Sequence, residues 1–205
     1  MQRDVTPFAG RTPAEELVRV FTDDRERLRR VVMVRLDAGL RGRVDVDDVL
    51  QEAFLAASTR LKHFRPERCA VMFVWVRMVV MQTIVDLARR HLGARKRGGG
   101  REVALTEVVD DQGSSFRLLQ EMCARVTSPT RAAARAEDST RLIASIAGMS
   151  DTDREILLLR HFEELSNGEV AEVLGLQKAA ATNRYLRAMT RLHDVLGNPD
   201  GPRHG

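Results

Sequence analysis

The sequence predicts an all-α protein built as two small helical domains joined by a linker, and three observations carry that prediction. Apolar residues recur at spacings of three and four along most of the 205 residues, while few segments alternate with period two. The pattern weakens between Gly98 and Ser128, where Gly98, Gly99 and Gly100 are followed by Asp110, Asp111, Gly113, Ser114 and Ser115. Helix-start signals stand on both sides of that gap, at Thr12, Ser150 and Ser166.

The first helix has a defined beginning. Thr12 can cap, Pro13 suits the first helical position and Glu15 completes a capping box, so a helix with a break is expected to run to about Leu40. A second follows Asp45, with Val46, Val49, Leu50, Ala53, Phe54, Ala57 and Leu61 on one face and its acids in the first turn, where the helix dipole favours them. Pro66 closes that segment. A third, very apolar helix is expected from about Ala70 to His91 through Trp75, Val79, Ile84 and Leu87. These helices make a first domain at 12–97, followed by a linker at 98–129 in which 116–126 is weakly amphipathic. A second domain is expected at 130–196, with a disordered tail at 197–205.

In the second domain Ser150 precedes Asp153 and Ser166 precedes Glu169, which places two helix starts sixteen residues apart. The short helix Glu169 to Leu174 meets Gly175, and a longer one runs from about Lys178 to Val195. That is helix, tight turn, helix. Ala171 is small enough for a close helix crossing, and Gly175 permits a left-handed turn. Val170, Leu174, Leu176, Ala181, Tyr185 and Leu192 are expected to pack between the helices. Lys178, Thr182, Asn183, Arg184, Arg187 and Arg191 are left on the outside of the last one, a face able to hydrogen-bond phosphates and base edges. A merely solvated face would also be polar, and the turn chemistry favours DNA contact over it.

Charge is informative by position. Lys and Arg total 33 against 29 Asp and Glu, a net +4 too small to single out nucleic acid. Six basic residues and no acid lie between Arg89 and Arg101, whereas Asp45, Asp47, Asp48 and Glu52 cluster earlier. Faces of opposite sign point to two partners. The two cysteines, Cys69 and Cys123, are too few for a zinc site and read as reduced thiols. The five histidines are scattered, no nucleophile and base converge, and neither catalysis nor a cofactor is expected. No apolar run has membrane-spanning length and the N-terminus lacks a signal segment, so a cytoplasmic protein without membrane insertion is expected.

The stretch Asp47-Asp48-Val49-Leu50-Gln51-Glu52-Ala53-Phe54 resembles the region by which sigma-70-type factors bind the clamp helices of RNA polymerase. Phe73-Val74-Trp75-Val76-Arg77 and Ile84-Val85-Asp86-Leu87-Ala88-Arg89-Arg90 resemble the next family regions, which open and read the promoter. Leu157 to Phe162 and Leu165-Ser166-Asn167-Gly168-Glu169-Val170-Ala171 resemble the family's fourth region. The matches keep the family's order over roughly Arg19 to Arg97 and Thr140 to Leu196, and a linker stands where larger members have a third region. The likeness is therefore to the extracytoplasmic-function group, and the whole chain looks like such factors from planctomycete-type bacteria. Pro66 to Met72 departs from many relatives, with Cys69 and apolar residues in place of a simple polar run.

The resemblance implies three partners: core RNA polymerase through its clamp helices and flap, promoter DNA, and an anti-sigma factor as a further candidate. It assigns Asp47, Asp48, Gln51 and Glu52 to basic residues of the clamp, with Leu50 and Phe54 anchoring the contact or the local core. Gln82 aligns with a position that helps capture a flipped base, Trp75 with a core or stacking position, and Arg77, Arg89, Arg90, Arg95, Lys96 and Arg97 with phosphate contacts. Thr182, Asn183, Leu186 and Arg187 align with positions that meet the upstream promoter element, beside Lys178. Arg184 and Arg191 align with backbone contacts, and Arg184 equally suits a surface ion pair. An ordinary helix-turn-helix regulator that never docks on polymerase is the rival reading.

Overall fold

The computed structural model describes residues 10–36, 40, 42–66, 71–96 and 132–197. The expected linker, its 116–126 stretch, both cysteines and the tail beyond Gly197 lie outside the described residues. The chain is all-α, and it divides into two compact units, Met1–Val109 and Asp110–Gly205.

In the first unit, α1 (Pro13–Asp23) starts on a full capping box. The Glu15 N–H donates to Thr12 Oγ1 at 3.2 Å, and Glu15 Oε2 accepts from the Thr12 N–H at 2.7 Å. The expected break falls at Asp24, between α1 and α2 (Arg25–Arg35). Thr22, Asp23 and Asp24 are weak helix formers because their short polar groups compete for the backbone. Here Thr22 Oγ1 donates to the Val18 and Arg19 carbonyls, and Asp24 takes Arg19 at 3.3 Å and Arg27 at 3.2 Å. The helix stops at Arg35 and not near Leu40, since Leu36 is already extended at φ −69°, ψ 124°.

Helix α3 (Val46–Arg60) is capped by Asp45, whose carboxylate accepts from the Asp47 N–H at 2.7 Å. A single 3-10 turn, Leu61–His63, ends it, and α4 (Met72–Lys96) runs one turn beyond the His91 expected from periodicity. Val20, Leu28, Val31, Val32, Val49, Ala53, Val76 and Val80 form a closed core among α1 to α4. Trp75 is half-buried, with its ring edge-on to Phe64 at 5.3 Å.

In the second unit, α5 (Ala132–Ala147), α6 (Asp151–His161), α7 (Asn167–Val173) and α8 (Lys178–Gly197) follow one another. Ser150 caps α6 through the Asp153 N–H at 3.2 Å. Ser166 and Glu169 make a reciprocal box on α7, so this helix begins two residues earlier than its apolar pattern suggests. Ile156, Leu157, Leu158, Leu159, Leu165, Val170, Ala171, Ala181 and Ala188 supply the core. Leu174, Leu176, Tyr185 and Leu192, expected between the helices, are only half-buried.

The turn between α7 and α8 is a Schellman closure. The Leu176 N–H donates to the Ala171 carbonyl at 2.8 Å and the Gly175 N–H to that of Glu172 at 3.3 Å. Gly175 sits at φ 63°, with open space where a Cβ would lie. Sterics around the site are therefore neutral, and only the backbone conformation opposes a side chain. Gly175→Ala is expected to lower stability by about 1–2 kcal/mol, and Gly175→Asn by less, in urea unfolding of the full chain.

Candidate polymerase and nucleic-acid interfaces

Helices α1 and α3, with the start of α2, leave an open groove of about 410 Å³ whose apolar lining is Val18, Phe21, Leu50, Phe54 and Leu55 and whose polar lining is Thr22, Arg25, Asp47 and Gln51. Leu55 is 66% exposed and Val18 51%. Phe21 meets Phe54 edge-on at 5.1 Å, so the groove floor is a fixed aromatic pair. Leu50 is buried beneath it.

The four acids and amides expected on this face differ in their surroundings. Asp47 is held by Arg29 and by Arg25 at 3.2 Å. The Arg29 hydrogen bond, joined by the charges of Arg29 and Arg25, keeps its carboxyl below the usual carboxylate value. Glu52 pairs with Arg90 of α4, thirty-eight residues away. Asp48 and Gln51 are exposed and make no ion pair or side-chain hydrogen bond among the described residues. Val18, Phe21 and Leu55 were missed in the sequence, although Leu55 gave a signal: it breaks the apolar face set by Val49, Ala53 and Ala57.

On α4, Gln82 is exposed and donates to Asp86 at 3.0 Å, while Arg89 lies 3.9 Å from the same carboxylate. Arg77, expected at phosphate, is interior at 5% exposure. The side chain of Lys96, and Arg97 altogether, fall outside the described residues.

On α8, Lys178, Thr182, Asn183, Leu186 and Arg187 are exposed, Leu186 to 54%. Arg184 turns inward to Asp153 of α6 at 3.1 Å, the ion-pair alternative open from the sequence. Arg191 donates to the Gly148 carbonyl at 2.8 Å, just past the end of α5. Both arginines thus brace the helix against its neighbours. No group of residues able to hold a metal ion exists among the described residues.

His161, the last residue of α6, and Tyr185 of α8 meet, Tyr185 Oη lying 3.3 Å from His161 Nε2. Burial, reinforced by the charge of Arg160, holds the imidazole below its ordinary value of 6.5. A depressed folded-state value means that the unfolded chain takes up the proton first. Its contribution to stability is therefore complete above 6.5 and is lost as pH falls below that value. The second unit is expected to unfold at lower urea at about pH 5.5 than at about pH 7.5, and His161→Gln should flatten the difference.

Residues 21–92 match sigma-70 region 2, and residues 139–192 match sigma-70 region 4. Over 158 residues the chain is 31% identical to RNA polymerase sigma factor CnrH of Cupriavidus metallidurans, covering 74% of this chain and 73% of that protein. The chain belongs to the sigma-70 family of RNA polymerase sigma factors. It is also 27% identical over 150 residues to a probable RNA polymerase sigma factor, RfaY, of Xanthomonas campestris pv. campestris, spanning 73% of this chain and 34% of that protein's length. Among solved structures, CnrH in complex with the cytosolic domain of CnrY aligns at a TM-score of 0.46, with 19% identity over 95% of both chains.

Proposed function

We propose that this protein is a sigma factor of the extracytoplasmic-function type that docks its first unit on core RNA polymerase and directs promoter opening, while its second unit grips DNA upstream. Planctomycete-type affiliation is a proposal of the same kind. The observation that carries the reading is the α1–α3 groove: an apolar trough with two exposed aliphatic side chains beside the uncommitted Asp48 and Gln51. Exposed aliphatic area on a helix that also exposes the unpaired Asp48 fits a basic, amphipathic partner helix, the kind of surface a polymerase clamp offers. An anti-sigma factor would compete for the same trough.

In this reading Asp48 and Gln51 make the polar contacts and Leu50 holds the floor under Phe54. Asp47 and Glu52 act second-hand, through the arginines they orient. Gln82, Arg89 and Arg90 face the melted strand on α4. Lys178, Asn183, Leu186 and Arg187 face the upstream element, with Arg184 and Arg191 bracing. The domain limits 12–97 and 130–196 are the proposed working units, and the proposed site of action is the cytoplasm. Among the described residues no helix is long and apolar enough to cross a membrane.

The test is retention of purified core RNA polymerase by the wild type beside Asp48→Arg/Glu52→Arg, followed by run-off transcription. Retention by the wild type and loss of at least about tenfold in the double variant is the expected result. DNA binding without any polymerase retention would sink the reading and leave a helix-turn-helix regulator.

A further inference from the structure

The amide of Asn167 joins the two helices of the helix-turn-helix at their starts. Its Nδ2 donates to the Lys178 carbonyl at 3.1 Å and to Thr182 Oγ1 at 3.0 Å. Thr182 in turn donates its hydroxyl proton to the same Lys178 carbonyl at 2.9 Å. Three polar groups from the first turns of α7 and α8 close a triangle. The capping box of Ser166 and Glu169 fixes the backbone that carries Asn167, and the Lys178 stem lies over Gly168, with Cε 3.5 Å from where a Cβ would stand.

A hydroxyl has one proton to give, and an amide nitrogen has two. All three protons here are engaged within the protein. Thr182 keeps a single acceptor position, so it offers no donor to the N7 or O6 of a purine or to the O4 of thymine, and one lone pair at most to an adenine or cytosine amino group. Asn183, Leu186 and Arg187, on the same exposed face, have their groups turned to solvent. Contacts that fix pose act on every sequence alike, whereas contacts to base edges discriminate among them.

We propose that Asn167 is a positioning residue that sets the pose of the reading helix through Lys178 and Thr182, and that Thr182 belongs to this clamp while Asn183, Leu186 and Arg187 carry base preference. The inference rests on the sigma-factor reading above. It adds Asn167 to the residues on which the strength of upstream DNA contact depends, and it assigns Thr182 to the clamp.

The experiment is run-off transcription by the reconstituted holoenzyme on a template library randomised at the upstream promoter element, with transcripts sequenced. Thr182→Val and Asn167→Asp each remove clamp protons; the first keeps side-chain volume and the second suits a helix N-terminus, so folding is preserved. Both should lower total output about fivefold to tenfold while leaving the base preference at every position unchanged. Thr182→Ser, which keeps the hydroxyl, should restore wild-type output. Asn183→Ala and Arg187→Ala should instead alter preference at one or two positions. A changed preference in Thr182→Val, or wild-type output from Asn167→Asp, overturns the proposal. A wild-type holoenzyme that selects no upstream sequence overturns the underlying reading itself, and that failure is distinguishable because it occurs before any substitution.

Discussion

Leu55→Glu is expected to reduce retention of core RNA polymerase by about tenfold to a hundredfold and to leave the unfolding midpoint of the free protein unchanged. Leu55 is 66% exposed in the middle of α3, so little packing is lost in the free chain. Glu is also as good a helix former as Leu, which keeps the change near neutral for folding. On docking, the same side chain is the most exposed aliphatic wall of the α1–α3 groove. Covering a Leu side chain contributes about 1.5–3 kcal/mol, which a carboxylate in its place forfeits while adding its own desolvation cost. Those energies correspond to the stated loss of affinity. Phe54→Ala would be a poorer probe, because it dismantles the edge contact with Phe21 and changes the groove in the free protein too. Leu55→Met should retain polymerase. Wild-type retention by Leu55→Glu would remove the groove from the docking surface.

The groove also shows where sequence reasoning reached and where it stopped. Helix starts were legible because a cap is local: Thr12, Ser150 and Ser166 each accept from the backbone N–H three residues on, and nothing distant can override that. The turn at Gly175 was legible for the same reason. The α1 wall of the groove was not, since only the packing of α1 on α3 shows that Val18 stays exposed while Phe21 lies against Phe54.

Arginines were the least legible class. A guanidinium satisfies a phosphate, a carboxylate or a helix carbonyl equally well, and the sequence does not say which is nearby. Arg77 turned out to be interior, Arg184 bridges to Asp153, and Arg191 serves the end of α5. Asp47 and Glu52 show the converse ambiguity, because acids expected to await a partner already hold Arg29 and Arg90. Adjacent Asp48 escapes that fate by lying on the solvent side of the same helix turn.

Arg154→Met is expected to be the most damaging single change to the second unit that spares its apolar core. The guanidinium donates to the carbonyls of Ile146, Ala147 and Met149, at 3.4, 3.2 and 2.6 Å, and pairs with Asp151. The first two carbonyls end α5, where the helix dipole is negative and intrahelical donors have run out, and Met149 lies two residues beyond it. Met keeps the aliphatic stem but leaves those acceptors without their charged donor, at a cost of about 2–4 kcal/mol. Stability of roughly 0.05–0.15 kcal/mol per residue gives a unit of this size only a few kcal/mol in total. Amide hydrogen exchange across α5 and α6 in the full chain should therefore accelerate by about thirtyfold or more, with α1 to α4 unaffected. Arg154→Lys separates charge from geometry: one ammonium cannot reach three carbonyls and a carboxylate from a fixed fork, so only part of the loss should be recovered. The effect should reach α8 as well, because Asp153, the residue before Arg154 on α6, pairs with Arg184 of α8. Unchanged exchange in Arg154→Met would show that α5 is held to α6 by its apolar face alone.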